Sequence, residues 1–300
     1  MSSDASRVIR ALLSNSIDYA GLFPPAGLSM SEAAANYAQY LKSGEAWALG
    51  KFVLPVALLD EFATAAKEHL PNSSTIPAWS LSVLAGSDLG NDLQRILKFN
   101  RDHQKIAHID AVELKASSRQ EITSAMSVIP KSFETYFEIP IQNNPVELIA
   151  TISQVGARAK VRTGGITIDA FPASADLISF IDTCVRIHVV FKATAGLHHP
   201  IRARYRLTYE EKSTWGMMYG FLNVFLAAVF LTRGMEQEDA VKLLEEQSRQ
   251  AFHFHNDGVG WRGHEIWIDD LVGMRQRVAA SFGSCSFSEP IGDLHTLHFL

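Results

Sequence analysis

Residues 109–145 read IDAVELKASSRQEITSAMSVIPKSFETYFEIPIQNNP, and this stretch decides the fold. Its two short runs, 109–115 and 133–139, have the side-chain period and apolar content of strands. Between them Ser117 or Ser118 opens a helical pattern, because a serine hydroxyl accepts from the free N–H groups of a first turn. After the second run, Asn144 and Pro145 signal another helix, with Pro at the first helical position. Strand, helix, strand, helix in this rhythm predicts parallel strands joined by crossover helices.

Outward from this stretch the rhythm continues. Toward the N-terminus, strands are predicted at 17–23, ended by Pro24 and Pro25, at 52–57, and at 79–84, ended by Gly86. Ser29 or Ser31 caps the helix after the first of these, and Asp88 the helix after the third. An amphipathic stretch, 5–13, precedes them all. Toward the C-terminus, strands are predicted at 157–162, closed by Thr163, Gly164 and Gly165, and at 187–194, closed by Gly196. A long apolar helix over 214–231 and an amphipathic one over 236–250 follow. The eighth strand is either 251–255 or 280–283, with a short last helix over 289–297. The expected fold class is α/β, a (βα)8 TIM-type barrel forming one domain over 1–300. It carries an extra N-terminal helix and a long apolar helix late in the chain. An open doubly wound sheet is the alternative, because spacing along the chain does not reveal closure.

Composition limits the function classes. With 47% hydrophobic and 20% charged residues, the 300-residue chain has ordinary globular composition and no sign of disorder. A formal net charge of -5 argues against a nucleic-acid partner, which would normally meet a basic face. The two cysteines, Cys184 and Cys285, cannot build a disulfide framework, so a reducing, cytoplasmic setting is expected. The start, MSSDASRVIRALL, lacks a basic segment followed by a long apolar one, so no signal peptide is expected. The segment 215–231 has no charged residue and places Gly216 and Gly220 at G-x-x-x-G spacing. It is at the short limit for a bilayer span, and Tyr219 and Asn223 interrupt it. A buried helix, or one packed in a homodimer, is expected, with no membrane partner.

Active sites in such barrels lie at the C-terminal strand ends. Here the fourth strand carries Asp110, Glu113 and Lys115, the fifth Tyr136 and Glu138, the sixth Lys160 and Arg162, and the seventh Lys192. Buried parallel strands are normally continuous apolar runs. One lysine there would be a paired or snorkelling charge. Several on consecutive strands predict a polar mouth for a small anionic substrate. Lys160 and Lys192 fall on adjacent strands. A second cation lowers the pKa of a lysine, which can then attack a carbonyl and form a Schiff base. Glu138 or water would handle the protons.

Four segments resemble those of the deoxyribose-phosphate aldolases, which are Schiff-base aldolases on this barrel. Ile17-Asp18 followed by Leu22 and Pro24 is similar to that family's first-strand motif. Ile109-Asp110-Ala111-Val112 resembles its Val-Asp-x-Val strand. Lys160-Val161-Arg162-Thr163-Gly164 resembles its Lys-x-x-Thr-Gly strand, and Phe191-Lys192-Ala193-Thr194-Ala195-Gly196 its strand with a second lysine. The resemblance covers about twenty residues. It implies that Lys160 forms the imine, that Lys192 lowers its pKa, and that Asp110 and Asp18 relay protons or orient the lysines. The chain departs from that pattern at Arg162, Gly165, Glu138 and Leu197-His198-His199-Pro200, and matches the family's Gly-x-Ser phosphate loop only loosely at Gly283-Ser284-Cys285-Ser286. A different substrate, or even a different reaction, is therefore expected.

Other groups compete. His253-Phe254-His255-Asn256-Asp257 resembles the His-x-His-Asn-Asp segment of the metallolyases that make isopropylmalate. Two His at i and i+2 share a strand face and could hold one divalent metal. That family has Gly where Val259 stands and an Arg on its first strand, where Asp18 has none beside it. The same string also reads as a strand running into a turn. Of His198 and His199, at most one enters a site, since neighbours on an extended chain point to opposite faces. Thr163, Gly164 and Gly165, with Thr194 and Gly196, could turn backbone N–H groups toward a substrate anion, or simply end strands. Lys115 would add charge to that mouth. No dinucleotide or P-loop glycine motif occurs. Cys285 between serines reads as a buried residue. The leading expectation is a Schiff-base lyase or aldolase needing no metal and no cofactor. A metal-dependent lyase or hydrolase using His residues, and a non-catalytic ligand-binding barrel, are the alternatives.

Overall fold

The apolar and alternating runs form parallel strands, and the helices between them bury their apolar faces against the outside of the sheet. The computed structural model describes residues 2–71, 77–142, 144–255 and 257–300. In chain order the strands begin with β1 (Ile17–Tyr19), β2 (Leu49–Pro55), β3 (Trp79–Leu84) and β4 (Ala107–Lys115). They continue with β5 (Glu134–Glu138), β6 (Arg158–Arg162) and β7 (Phe191–Thr194). Then come β8 (Ala203–Arg206), β9 (Trp215–Met218), β10 (Phe252–His255), β11 (Gly258–Trp261), β12 (His264–Trp267) and β13 (Ala279–Ser284). Strands β1 to β7 and β13 are parallel and close in the order β1-β13-β7-β6-β5-β4-β3-β2. The barrel is thus closed, which removes the open-sheet alternative, and its eighth strand comes from the 280–283 candidate. The 251–255 candidate forms β10, in a separate antiparallel sheet with β11 and β12.

The helices are α1 (Ser2–Leu13), α2 (Met30–Tyr40), α3 (Leu59–Ala65), α4 (Leu89–His103), α5 (Arg119–Met126) and α6 (Val146–Gln154). They continue with α7 (Ser174–Ile187), α8 (Phe221–Leu231), α9 (Gln237–Leu244), α10 (Ile268–Val278) and α11 (Ser288–Thr296). Local chemistry sets several starts. Ser29 and Glu32 make a reciprocal capping box on α2, and Ser118 and Glu121 do the same on α5. Asp88 accepts from Asn91 N–H on α4. β7 is shorter than the predicted 187–194 because Ile187 still belongs to α7, which ends on His188 in the left-handed region (φ 58°). The N-terminal helix α1 lies outside the barrel against α10 and β10.

The long apolar helix expected over 214–231 does not form. Residues Trp215–Met218 instead pair antiparallel with β8, and only Phe221–Leu231 is helical. The break falls at Gly220, where a Cβ would collide with Pro200 O and the Asn223 side chain. All eleven residues of α8 are buried, among α7, α9, α10 and β13, which explains a helix apolar on every side. Phe221 stacks on Phe282 of β13 with centroids 4.8 Å apart. Among the described residues no helix is long and apolar enough to cross a membrane.

One irregularity positions the site. Leu81 of β3 pairs with Ile109 and Ser82 with Ala111, which leaves Asp110 as the extra residue of a bulge in β4. Asp110 and Glu113, three apart, therefore reach the same face of the sheet. Asp110 accepts from Ser80 Oγ, and Glu113 accepts from Ser82 Oγ at 2.6 Å, one layer further toward the C-terminal end.

Candidate active site

Two lysine nitrogens meet inside the barrel. Lys160 and Lys192 are paired residues of β6 and β7. Lys192 Nζ lies 2.5 Å from Glu113 Oε1 and 2.7 Å from Asp18 Oδ2. Lys160 Nζ lies 2.8 Å from Glu113 Oε2 and 2.9 Å from Glu138 Oε2. One carboxylate thus bridges both ammonium groups. The partners are held in turn: Asp18 Oδ2 accepts from Ser281 Oγ (2.7 Å) and its Oδ1 from Lys51 N–H (2.7 Å). Tyr136 presents its ring 5.9 Å from Lys192 Nζ.

All five charged side chains are buried, Lys192 most deeply at 1% exposure. Burial opposes ionisation of Glu113, yet the two lysines outweigh it and hold its carboxyl well below the usual range. Burial likewise opposes the charge of Lys192, yet Asp18 and Glu113 outweigh it and hold its pKa well above the ordinary lysine value. Lys192 is therefore a fixed cation and not a free amine.

Above this cluster, at the C-terminal strand ends, is a cavity of about 330 Å³. Lys160, Lys192, Glu113, Arg162 and His198 supply its polar wall, and Phe23, Pro24, Pro25, Val53 and Leu84 its apolar one. His198 is buried, and burial, with a smaller contribution from His199, pushes its pKa down to about 4. Glu289 Oε2 lies 3.5 Å from its Nδ1 and does not offset that burial. Its Nδ1 also lies 3.3 Å from Ser284 Oγ and 3.8 Å from Cys285 Sγ, whose thiol burial raises.

No family model, curated protein or solved structure matches the chain.

The remaining residues singled out in the sequence divide by position. Thr194, Gly165 and Gly196 line the cavity. Thr163 is a strut: its N–H donates to Thr194 O and its Oγ1 to Ala195 O (2.6 Å), tying the ends of β6 and β7 together. Gly164 is packed under Phe171, where a Cβ would not fit. Lys115 and Glu138 line a neighbouring depression, with Arg162 on the ridge between it and the cavity. His199 turns away, stacks on Tyr205 with centroids 3.4 Å apart, and pairs with Asp293 Oδ2 at 2.5 Å.

Asp110 does not join the lysines. It lies one layer nearer the N-terminal end of the barrel, where Lys51 Nζ lies 3.9 Å from it and 3.7 Å from Glu134. Arg158 completes that network, 2.9 Å from Glu134 and 2.9 Å from the Tyr136 hydroxyl. A larger cavity of about 750 Å³ opens at this end. Lys51, Glu134 and Arg158 in its wall are paired with one another, and in this architecture that end serves stability while chemistry sits at the other. Glu113 stands where Asp110 was expected. Its signal was its place two residues before Lys115, on the alternation that also joins Lys160 to Arg162.

His253 and His255 lie on β10, outside the barrel, with His255 packed against Trp267. Asn256 lies outside the described residues. Among the described residues no three His, Cys, Asp or Glu side chains are grouped to hold a metal ion.

Proposed function

We propose that this chain is a lysine-dependent carbon–carbon lyase of the aldolase type, acting on a small anionic carbonyl compound through an imine on Lys160. The observation that carries the reading is the shared carboxylate: Glu113 holds the Lys160 and Lys192 nitrogens together under a cavity at the catalytic end of the barrel.

The two lysines have different environments and take different roles. Lys192, fully enclosed and doubly paired, stays charged and raises the electrostatic cost of a second cation beside it. Lys160 is the one whose nitrogen also meets Glu138, at 2.9 Å. Glu138 receives the ammonium proton. The neutral amine adds to the substrate carbonyl, and the same proton leaves with the carbinolamine hydroxyl as water. The resulting iminium accepts the electron pair of the breaking carbon–carbon bond. His198, neutral at pH 7 and on the wall of the same cavity, takes the proton from the substrate hydroxyl as that bond breaks. Arg162 draws the substrate anion to the rim.

Borohydride reduction in the presence of short aldehydes, 2-oxo acids and their phosphates tests this. A reduced adduct is expected on Lys160, absent from Lys160→Ala. An active enzyme that forms no adduct, tolerates Lys160→Ala and is inactivated by a chelator would replace this reading with the metal-dependent one.

A further inference from the structure

In barrels of this architecture a substrate phosphate commonly sits between the loops after the last two strands and the N-terminus of a following helix, where free N–H groups and the helix dipole favour negative charge. Here that helix is α11, and three of the first four positions of its N-terminus offer no free N–H. Pro290 has no N–H, Glu289 N–H donates to Ser286 Oγ (3.1 Å), and Ile291 N–H donates to Phe287 O (3.4 Å). The chain supplies its own anion there. Glu289 is in the first turn, and its carboxylate accepts from the Tyr209 hydroxyl at 2.9 Å. Tyr209 lies in the connection between β8 and β9, so this hairpin covers the helix end. Tyr205 on β8, through its stack with His199 and the His199–Asp293 pair, ties the hairpin to α11 a second time.

The opposite rim differs. Arg162 lies two residues beyond Lys160 on β6. Among the described residues it has no carboxylate within ion-pair distance, and its one hydrogen bond is a long contact (3.5 Å) to Gly164 O. A guanidinium presents a planar fork that matches a carboxylate. With every group ionised, Asp18, Glu113 and Glu138 balance Lys160, Lys192 and Arg162. A carboxylate leaves one uncompensated charge in this site and a phosphate dianion leaves two, with Glu289 adding to the repulsion.

We propose that the carbonyl substrate of the lysine centre carries a carboxylate and no phosphate. Arg162 takes the carboxylate, and Glu289 with Tyr209 occupies the place a phosphoryl group would need. The inference rests on the imine reading of Lys160 and narrows its substrate class to 2-oxo acids and related carboxylated carbonyl compounds.

The test uses the full chain, borohydride and four probes at equal concentration: pyruvate, glyoxylate, glycolaldehyde phosphate and dihydroxyacetone phosphate. Peptide mass mapping reads the adduct on Lys160. The carboxylates are expected to exceed the phosphates by about tenfold, the size of one charge-assisted hydrogen bond. Glu289→Gln is expected to narrow that ratio by raising phosphate labelling. Equal or stronger labelling of the wild type by the phosphates overturns the proposal and leaves the imine intact, and a ratio untouched by Glu289→Gln removes Glu289 from it. Failure of all four probes overturns the imine reading instead. Thermal unfolding then decides the anion alone: malonate should raise the melting temperature of the wild type but not of Arg162→Gln, while inorganic phosphate raises neither. An equal rise with phosphate sinks the anion assignment.

Discussion

Lys160 and Lys192 face each other across two parallel strands, and their nitrogens touch opposite oxygens of the same carboxylate, Glu113. Two ammonium groups so placed inside a barrel repel unless an anion lies between them. Glu113 therefore determines whether the pair can exist at all, and the stability and chemistry of the centre both depend on it.

Removing that anion should be costly. Glu113→Gln leaves two buried cations short of a partner and is expected to lower unfolding stability by about 3–5 kcal/mol. Asp110→Asn touches the partly exposed pairs at the other end and should cost less than about 1 kcal/mol. Urea unfolding of the two variants compares them directly, and equal losses would contradict the assignment of the lysine centre to Glu113.

Lys192→Met keeps volume and removes the fixed cation. It leaves Asp18 as a buried anion without a cation and Glu113 with Lys160 alone, and should destabilise by about 3–5 kcal/mol. Adding Asp18→Asn should recover part of that loss, because the stranded charge is then gone. Imine trapping on Lys160 should slow in both variants at pH 7, since the fixed cation beside the amine is gone.

Stability should fall with acid in two stages. His198 has a folded pKa of about 4, below the ordinary 6.5, so its neutral form is favoured by folding. That contribution is complete above pH 6.5, is lost as pH falls toward 4, and has a size on the order of 3 kcal/mol. Glu113, also depressed, contributes fully above about 4.5 and loses that contribution at lower pH. Lys192, with a raised pKa, contributes below 10.5 and loses its contribution as pH rises beyond that. His198→Gln should flatten the stability curve between pH 6.5 and 4 and leave the alkaline limb unchanged.

Asn223, wholly buried in an apolar helix, should be sensitive. Its amide donates to Leu243 O (2.8 Å) and Glu246 O (2.9 Å), and its Oδ1 accepts from Arg202 N–H (3.0 Å). Asn223→Leu deprives three backbone groups of their partner and should cost at least about 3 kcal/mol, at roughly 1–3 kcal/mol for each group left unsatisfied. A neutral result in thermal unfolding would mean that water replaces all three contacts.

The lysines were legible because a charged side chain in a buried parallel strand contradicts the apolar pattern around it. His198 and His199 were legible as a pair with opposite fates, since alternation sends neighbours to opposite sides. The exchange of Asp110 for Glu113 was not. It depends on a one-residue bulge, and the extra residue is defined by its pairing with β3, not by anything in IDAVELK itself. The hairpin at Trp215–Met218 was hidden for a related reason. An apolar run without charges reads alike whether it is a short strand under a loop or the first turns of a helix, and the break at Gly220 comes from the distant Pro200 carbonyl. The Glu289–Tyr209 contact joins residues eighty apart in sequence, and nothing local marks either as its partner.

The barrel seam has a temporal consequence. β1 pairs with β13, and Asp18 is held by Ser281 across 263 positions of chain. A nascent chain emerging from the ribosome can build β2 through β7 by neighbour-to-neighbour docking. β1 can dock on β2 at once, but the sheet cannot close until residues 279–284 arrive. Lys192 would meet Glu113 before that moment, but its second anion would still lack the hydroxyl that orients it. The lysine–carboxylate cluster is thus completed by the last strand, so the seam that closes the barrel is also what ends its immaturity.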